Sequence, residues 1–187
     1  MTAEPSLAAT TGHRPPAPAD FRHAMAEFAT GVTVITGMDG EEPVGFACQS
    51  FASVSLEPPL VLFCADHRGR SWPRMRDSGR FCVNVLGEDQ QDLCARFGSS
   101  RGLRYEGLDW ELSPWDTPSL PGVLVRVHAA VHAVHTAGDH DVVLGRVLSL
   151  EHVSQGRPMV FFRSRFGLDE PAPPLTPELW FGSGQWG

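Results

Sequence analysis

The sequence feature that most constrains the fold is the stretch at residues 44–59, VGFACQSFASVSLEPP. Its even positions are mostly apolar, namely Val44, Phe46, Cys48, Ala52, Val54 and Leu56. Its odd positions include Gln49, Ser53 and Ser55. Because side chains alternate between the two faces of a β-strand, we predict one face on a core and one face of small neutral polar groups. Ser50 interrupts the apolar face and predicts a bend, and the prolines at 58–59 predict the end of the strand.

The polar face of this strand indicates a kind of ligand. A row of hydroxyls and one amide, all uncharged, offers donors and acceptors to the edge of a flat heteroaromatic ring. Neutral groups of this kind suit a metal ion poorly, and they lack the positive charge expected of a phosphate site. The alternative is an ordinary half-exposed strand rich in serine, and the residues alone leave both interpretations open.

The rest of the chain predicts further strands in an antiparallel arrangement. Apolar runs predict strands at residues 32–36, 60–65, 81–86, 123–135, 142–150 and 159–163. Turns are predicted at 37–40 and 136–140, and a long irregular segment at 98–121. Since the sequence has no strand–helix alternation and no GxGxxG motif, it favours an antiparallel barrel over a Rossmann domain.

Helices and flanking segments complete the predicted organisation. One helix is predicted to begin at an Asp20 N-cap and to end before Gly31. A second follows Ser71, which can cap it, and a third spans residues 88–97 with Leu93 and Phe97 on one face. We expect a disordered arm at 1–19, one domain at 20–168 and a tail at 169–187.

Composition excludes several classes of function. The net charge of -7 argues against nucleic acid as the main partner. Every basic residue is Arg, so lysine chemistry such as a Schiff base is ruled out. The four cysteines are widely spaced and form no CxxC pair, which indicates buried thiols. We expect a cytoplasmic protein with no membrane partner, because no apolar run approaches membrane-spanning length and no signal peptide opens the sequence.

Residues 66–71, with the sequence DHRGRS, predict an anion site. Arg68 and Arg70 precede a predicted helix N-terminus at Ser71, so guanidinium groups and free backbone amides converge there. The alternative is a capped surface helix with solvated arginines.

Histidines are the other candidates for a functional site. His128 and His132 share one face of a predicted strand and His135 points to the other face, so we predict no metal site there. His140 lies in a Gly-Asp-His turn, from which a side chain can project into a cleft. The alternative for His140 is a solvent-exposed turn residue.

Five segments, taken together in order and spacing, resemble a known family. They are FRHAMAEFATGVTVIT, VGFACQSFASVSLEPPLVLF, RFCVNVL with EDQQDLCARF, AGDHDVVLGRV and PMVFFRSRFG. The chain resembles the flavin reductase-like family, to which the 4-hydroxyphenylacetate and phenol hydroxylase reductases belong. The resemblance implies an FMN-binding split barrel, which is a six-stranded antiparallel Greek-key barrel with short flanking helices. It also implies a homodimer that reduces FMN or FAD with NADH or NADPH and releases reduced flavin to a flavin-dependent monooxygenase.

The same resemblance implies roles for individual residues. Residues 48–51, Cys-Gln-Ser-Phe, stand where the family usually has Ala-Asn-Ser-Phe, and Gln49 keeps the amide one methylene further out. His140 matches the histidine near the nicotinamide and is the catalytic candidate, whereas Phe166 stands where members often have Tyr. The implied cofactor-binding residues are Thr30, Cys48, Gln49, Ser50, Ser53, Val54, Ser55, Arg68, Ser71, Arg80, Phe81, Asn84, His140 and Phe166.

The resemblance leaves alternatives open. A non-catalytic flavin- or haem-binding split barrel would share the fold without the reaction. An enzyme similar to pyridoxamine-phosphate oxidase would need a cationic cluster for the substrate phosphate, and the absence of Lys argues against it. FMN and FAD are both possible. We expect NADH rather than NADPH, because no Arg-rich site for a 2′-phosphate is evident in the sequence.

Overall fold

A computed structural model of the chain describes residues 14–99 and 104–168. Residues 1–13, which form most of the predicted arm, and the predicted tail at 169–187 lie outside the described residues. The predicted disorder of the arm therefore stays a prediction.

The described residues form a mainly β fold built on one seven-stranded antiparallel sheet. The strand order is β3-β2-β6-β9-β10-β5-β4, and smaller sheets pair β1-β11-β12 and β7-β8. The bounds are β1 (Thr30–Gly31), β2 (Thr33–Asp39), β3 (Glu42–Cys48), β4 (Ala52–Leu56), β5 (Pro59–Asp66), β6 (Arg80–Val85), β7 (Glu111–Leu112), β8 (Pro118–Ser119), β9 (Val125–Ala137), β10 (His140–His152), β11 (Val160–Phe162) and β12 (Arg165–Phe166). The predicted antiparallel class is confirmed, with seven strands in the main sheet rather than six.

Three short α-helices accompany the sheet in the described residues: α1 (Pro18–Met25), α2 (Ser71–Met75) and α3 (Gln91–Gly98), with a 3₁₀ helix at Arg76–Ser78 after α2. The predicted Asp20 cap is wrong, because Ala17 is the N-cap and Pro18 opens α1. Leu93 and Phe97 on α3 are buried on one face, as their spacing predicted.

The core is centred on Phe63 of β5, which is completely buried. Its ring makes edge-on contacts with Phe81 at 5.0 Å, Trp72 at 5.5 Å and Phe46 at 5.9 Å between ring centroids. Such pairs stabilise a fold by about 0.5–1.5 kcal/mol each beyond the burial of their area. A Cβ atom at Gly145 of β10 would collide with the Phe81 ring, so only glycine allows this close packing.

The link between β3 and β4 joins the two ends of the sheet order. The Ser50 hydroxyl accepts the backbone N–H of Cys64 at 2.8 Å and donates to the carbonyl of Cys64 at 3.3 Å. These bonds tie the link to β5, so the bend predicted near Ser50 is confirmed. The link thereby holds the end of β3 against β5, the strand next to the β4 edge of the sheet order.

The second half of the stretch at residues 44–59 differs in part from the prediction. β4 is an edge strand, and its register against β5 shifts between Ser53 and Ser55. Ala52, Val54 and Leu56 are therefore exposed rather than packed on the core. The predicted end of the strand is confirmed, because β4 ends at Leu56 and the chain reverses at Glu57-Pro58 before Pro59 begins β5.

Several turns are shorter than the sequence predicts. β2 continues to Asp39, so the hairpin turn with β3 contains only Gly40 and Glu41. β9 and β10 likewise extend to Ala137 and from His140. Gly40 takes a φ of 60°, which suits glycine in such a tight turn. Within the segment expected to be irregular, β7 and β8 form a small hairpin.

Candidate functional site

A groove of about 680 Å³ lies between α1, the β3–β4 link and the β11–β12 hairpin. We call it the α1 groove. Its lining consists of Phe21, Arg22, Met25, Ala26, Phe28, Thr30, Gln49, Ser50, Phe51, Ala52, Phe161 and Ser164. Phe21, Met25 and Phe28 keep 57%, 52% and 73% of their surface exposed, and no residue of α1 is buried. The groove thus has an apolar wall that a flat ligand would cover.

Three polar residues of the groove lining are ones that the sequence singled out. Thr30, Gln49 and Ser50 all line it, although Thr30 is far from the other two in sequence. The Thr30 hydroxyl donates to the side-chain oxygen of Gln49 at a long 3.5 Å, which leaves the amide of Gln49 available to a ligand. An apolar wall with an amide and hydroxyls at its edge fits a flat heteroaromatic ring.

Cys48 lies behind this polar edge and is buried. Its Sγ is 3.2 Å from the Ser50 hydroxyl. Burial raises the pKa of the Cys48 thiol, so the thiol stays protonated near neutral pH. The structure therefore gives Cys48 a packing position rather than a place in the lining.

The structure does not bring every predicted ring residue into the groove. Ser53, Val54 and Ser55 lie on the edge strand β4, beyond the part of the chain that lines it. The register shift at Val54 turns that side chain outward, where it is 47% exposed. The regular alternation assumed for these three residues fails because of that shift.

The β11–β12 hairpin holds the far wall of the groove. Arg163 and Ser164 form its turn with φ values of 48° and 63°, which non-glycine residues adopt at a cost. The Arg163 N–H donates to the carbonyl of Ala26, and its guanidinium pairs with Glu27 at 2.6 Å. The pair with Arg163 lowers the pKa of Glu27. These contacts fasten the end of α1 to the hairpin, and Ser164 lines the groove.

The loop at 66–71 leaves β5 next to the β3–β4 link. Its first arginine, Arg68, already forms an ion pair within the loop. Arg68 donates to the Asp66 carboxylate at 2.7 Å, and this contact holds the pKa of Asp66 well below its usual range. The Arg68 side chain is otherwise highly exposed. Arg68 is thus paired with Asp66, and a phosphate contact from Arg68 stays a prediction.

A polar cluster anchors the start of this loop to β10. His67 contacts Asp141 at 2.9 Å, and the Trp72 indole N–H donates to the same carboxylate at 3.1 Å. These two hydrogen bonds, led by that of His67, lower the pKa of Asp141. The loop is thus positioned by Asp141, a residue that the sequence did not single out.

His140 opens β10 and lies opposite Asp66 of β5. Its Nδ1 is 2.7 Å from the Asp139 carboxylate, and the contact lowers the pKa of Asp139. Ser50 bonds to Cys64, which is two residues from Asp66 on the same strand. His140 and Ser50 therefore flank the same end of β5 from opposite sides.

Ser71 does not cap α2 through its side chain, contrary to the prediction, because Arg70 is the N-cap and Ser71 is the first helical residue. The Ser71 hydroxyl is buried, donates to the carbonyl of Gly45 at 2.8 Å and accepts from Arg104 at 2.6 Å. Arg104 was missed because it lies more than thirty residues away in a segment without periodicity.

Ser71 and Arg104 form part of a second cavity, of about 430 Å³, which we call the arginine pocket. Its lining consists of Glu42, Pro43, Val44, Arg70, Ser71, Arg74, Arg104 and Tyr105. Three arginines thus share one cavity lining, although no arginine-rich site for a 2′-phosphate is evident in the sequence.

Four further predicted residues have other positions. Phe81 and Asn84 are completely buried, so neither is accessible to a ligand. Arg80 pairs with Asp116 at 2.8 Å, away from the α1 groove. Phe166 packs edge-on against Phe161, a residue of the groove lining, at 5.4 Å, but is not itself part of that lining.

Residues 14–99 and 104–168 contain no group of three or more His, Cys, Asp or Glu side chains arranged to hold a metal ion. None of the helices in these ranges has the length and apolar character needed to cross a membrane.

Comparison with known proteins places this geometry in a family. The model of the flavin reductase like domain matches residues 25–167. The chain is 50% identical over 154 residues to the reductase subunit HsaB of a flavin-dependent monooxygenase from Rhodococcus jostii, covering 82% of this chain and 79% of that protein.

Two solved structures share the fold. A nitrilotriacetate monooxygenase component B from Mycobacterium thermoresistibile matches with a TM-score of 0.77 and 43% identity, over 86% of this chain and 93% of that one. The NADH:FAD oxidoreductase SgcE6 from Streptomyces globisporus matches with a TM-score of 0.76 and 31% identity, over 86% and 96%. The chain belongs to the flavin reductase-like domain family.

Proposed function

We propose that this protein is an NAD(P)H:flavin oxidoreductase that supplies reduced flavin to a partner monooxygenase. The observation that carries the proposal is the α1 groove, in which Thr30, Gln49 and Ser50 border an apolar wall. The similarity to HsaB and SgcE6, whose names specify a monooxygenase reductase subunit and an NADH:FAD oxidoreductase, supports it.

The residues of the groove fit a flavin ring. Phe21, Phe28 and Phe161 offer apolar surface to the ring faces, and Gln49 offers both a donor and an acceptor to the polar edge. When bound, the flavin supplies the hydride acceptor for the reduced nicotinamide. The aromatic wall would exclude water from the ring, and the hydrogen bonds of Ser50 to β5 keep the polar edge in place.

His140 has a positioning role in this proposal. Asp139 orients the imidazole through Nδ1, so Nε2 points elsewhere and is available to hold a nicotinamide amide. Hydride transfer requires a close and oriented pair of rings and little acid–base help from the protein. His140 would therefore affect nicotinamide binding rather than transfer a proton in the hydride step.

We propose a homodimer on the basis of large apolar side chains exposed on the sheet. Leu56 of β4 is 95% exposed, and Leu150 of β10 is 62% exposed. Val54, Val134 and Leu148 add further exposed apolar surface on β4, β9 and β10. Large apolar side chains left exposed on a sheet are a feature of interfaces between copies of a chain. Sedimentation of the natural chain against Leu56→Glu tests this, with a shift to monomer expected in the variant.

The finer assignments complete the proposal. We propose NADH as the usual electron donor, in keeping with the name of SgcE6, and the cytoplasm as the location. The domain would span 20–168, with the arm and tail outside it.

The direct test is oxidation of NADH and NADPH by the purified full chain with FMN and with FAD. The proposal expects flavin-dependent loss of nicotinamide absorbance with at least one pair. Folded protein that binds flavin tightly but turns over none of the four pairs would indicate a binding protein instead.

A further inference from the structure

The arginine pocket is separate from the α1 groove, since no residue lines both cavities. Arg70, Arg74 and Arg104 contribute three positive charges to its lining, and Glu42 contributes one negative charge. The Tyr105 hydroxyl donates to the carbonyl of Val44, so this side of the pocket is fixed to the edge strand β3. The pocket is therefore a defined cavity with an excess of positive charge.

Arg104 lacks the partner that a guanidinium usually has. Its Nη1 donates to Ser71 and its Nη2 to the carbonyl of Ser99 at 3.2 Å, so both acceptors are neutral. Its Nε is buried and has no hydrogen-bond partner. Among the described residues, no carboxylate forms an ion pair with Arg104. A buried donor left unpaired costs about 1–3 kcal/mol, which a ligand with an acceptor would recover.

The charged residues around Arg104 leave it without a counter-charge, which favours the binding of an anion. Arg74 is neutralised by Asp39 at 2.7 Å and by Glu42 at 2.6 Å, so these acids do not serve Arg104. Burial, followed by the charges of Arg70 and Arg74, lowers the pKa of Arg104. An anion in the pocket would offset the repulsion among these arginines and give the buried Arg104 guanidinium a counter-charge. Guanidinium groups match phosphate oxygens in geometry as well as in charge.

The position of the pocket decides which phosphate it suits. Val44 lines the pocket and Gln49 lines the groove, and the five residue steps from one to the other, mostly along the extended strand β3, span about 16 Å. A ribityl phosphate has roughly half as many bonds as that stretch of backbone, so a flavin with its ring in the groove does not place its own phosphate there. A dinucleotide, which continues beyond the first phosphate, is long enough.

We propose that the arginine pocket binds a phosphate of a dinucleotide at the end away from the ring. The shared chemistry is a phosphate group, and the sources are the adenylate phosphate of FAD or a phosphate of NADH or NADPH. Arg104 supplies the principal contact, and Ser71 holds Arg104 in place. This inference rests on the proposed function, because it takes the groove as the ring site.

The test measures dissociation constants of riboflavin, FMN, FAD, NADH and NADPH for the full chain and for Arg104→Gln, without turnover. The matched control is Arg96→Gln, because Arg96 is a half-buried arginine of α3 that donates to the carbonyl of Glu106 and lies outside the pocket. Arg104→Gln should raise the dissociation constant of FAD or of a nicotinamide dinucleotide about ten-fold or more, the scale of a charged hydrogen bond. Riboflavin and FMN should stay within about two-fold, and the control should change nothing.

The pattern across ligands identifies the source of the phosphate. A loss confined to FAD assigns the adenylate phosphate, a loss confined to NADPH assigns the 2′-phosphate, and an equal loss for NADH and NADPH assigns their shared pyrophosphate. Should Arg104→Gln fail to fold, inorganic pyrophosphate must displace the dinucleotide from the natural chain without displacing riboflavin.

Three outcomes overturn the inference: unchanged affinity for all dinucleotides, equal loss for riboflavin or FMN, or no competition by pyrophosphate. Failure of the proposed function is distinguishable, because it would abolish turnover while the binding measurements still report on the pocket. Turnover that survives with unchanged binding in Arg104→Gln would refute only this inference.

Discussion

Two amide side chains with similar sequence-based assignments have opposite structural settings, and their alanine variants should behave oppositely. Asn84 is completely buried. Its Nδ2 donates to the carbonyl of Val34 at 3.2 Å and to the Thr36 hydroxyl at 3.0 Å, and its Oδ1 accepts the N–H of Leu120 at 3.0 Å. Gln49 lines the α1 groove and is exposed. Asn84 therefore holds the fold, whereas Gln49 faces a ligand.

The magnitudes follow from these contacts. Asn84→Ala leaves the buried N–H of Leu120 without an acceptor, which costs about 1–3 kcal/mol, and removes packed volume worth about 1 kcal/mol more. A total of about 2–4 kcal/mol lowers Tm by about 4–16 °C for a domain of this size. Gln49→Ala should change Tm little, because it is a surface substitution. It should weaken riboflavin binding about two- to twelve-fold, the scale of one neutral hydrogen bond.

Thermal unfolding and riboflavin titration, measured on both variants below their Tm, check this pair of predictions. Folded Asn84→Ala should bind riboflavin within about two-fold of the natural chain. The reasoning is refuted if Asn84→Ala loses riboflavin affinity at unchanged stability, since Asn84 would then contact the ligand as the family resemblance implied.

Three further predictions concern the groove wall, a buried histidine and the nicotinamide. Ser164→Gly removes the cost of a serine at a φ of 63° and should raise Tm by about 1–4 °C. The same variant should weaken riboflavin binding several-fold, because it loses the hydroxyl; a rise in both Tm and riboflavin affinity would show that the hydroxyl has no ligand role. His128 is buried beside Thr117, Arg126 and Glu151 and under the Trp115 ring, and burial lowers its pKa. The unfolded chain therefore binds the proton first, so the stability from neutral His128 is full above its ordinary pKa of about 6.5 and falls as pH drops below it. His128→Asn should show a smaller loss of Tm between about pH 7 and 5, and an unchanged pH profile would contradict the assignment. His140→Ala should raise KM for NADH several-fold with flavin affinity unchanged, as separate flavin and NADH titrations would show; loss of flavin binding instead would move His140 to the flavin.

The first half of the stretch at residues 44–59 could be predicted because its alternation of apolar and polar residues reflects burial directly. Val44 and Cys48 of β3 are buried, as the alternation requires, and Ser50 marks the bend. The second half could not be predicted in the same way. β4 is an edge strand with a register shift at Val54, and neither its edge position nor the shift leaves a local signal in the sequence.

Candidate site residues were predictable where they lie close together in the chain. Gln49 and Ser50 both line the α1 groove from the short β3–β4 link. Thr30 lines it from β1 and donates a hydrogen bond to Gln49. The arginine pocket depends instead on a long-range contact between Ser71 and Arg104. Periodicity carries no information about such a contact, so the sequence drew attention to Arg68, whose charge is satisfied by Asp66.

The central claim is that flavin is reduced in the α1 groove, and a groove-filling variant tests it most directly. Ala52 lines the groove on the exposed edge strand β4, so Ala52→Trp should fill the cavity without disturbing the core. Anaerobic mixing with NADH and FAD measures flavin reduction in a single turnover. The account predicts rapid reduction by the natural chain and a loss of both flavin binding and reduction in folded Ala52→Trp. Reduction at the natural rate in that variant would contradict the account.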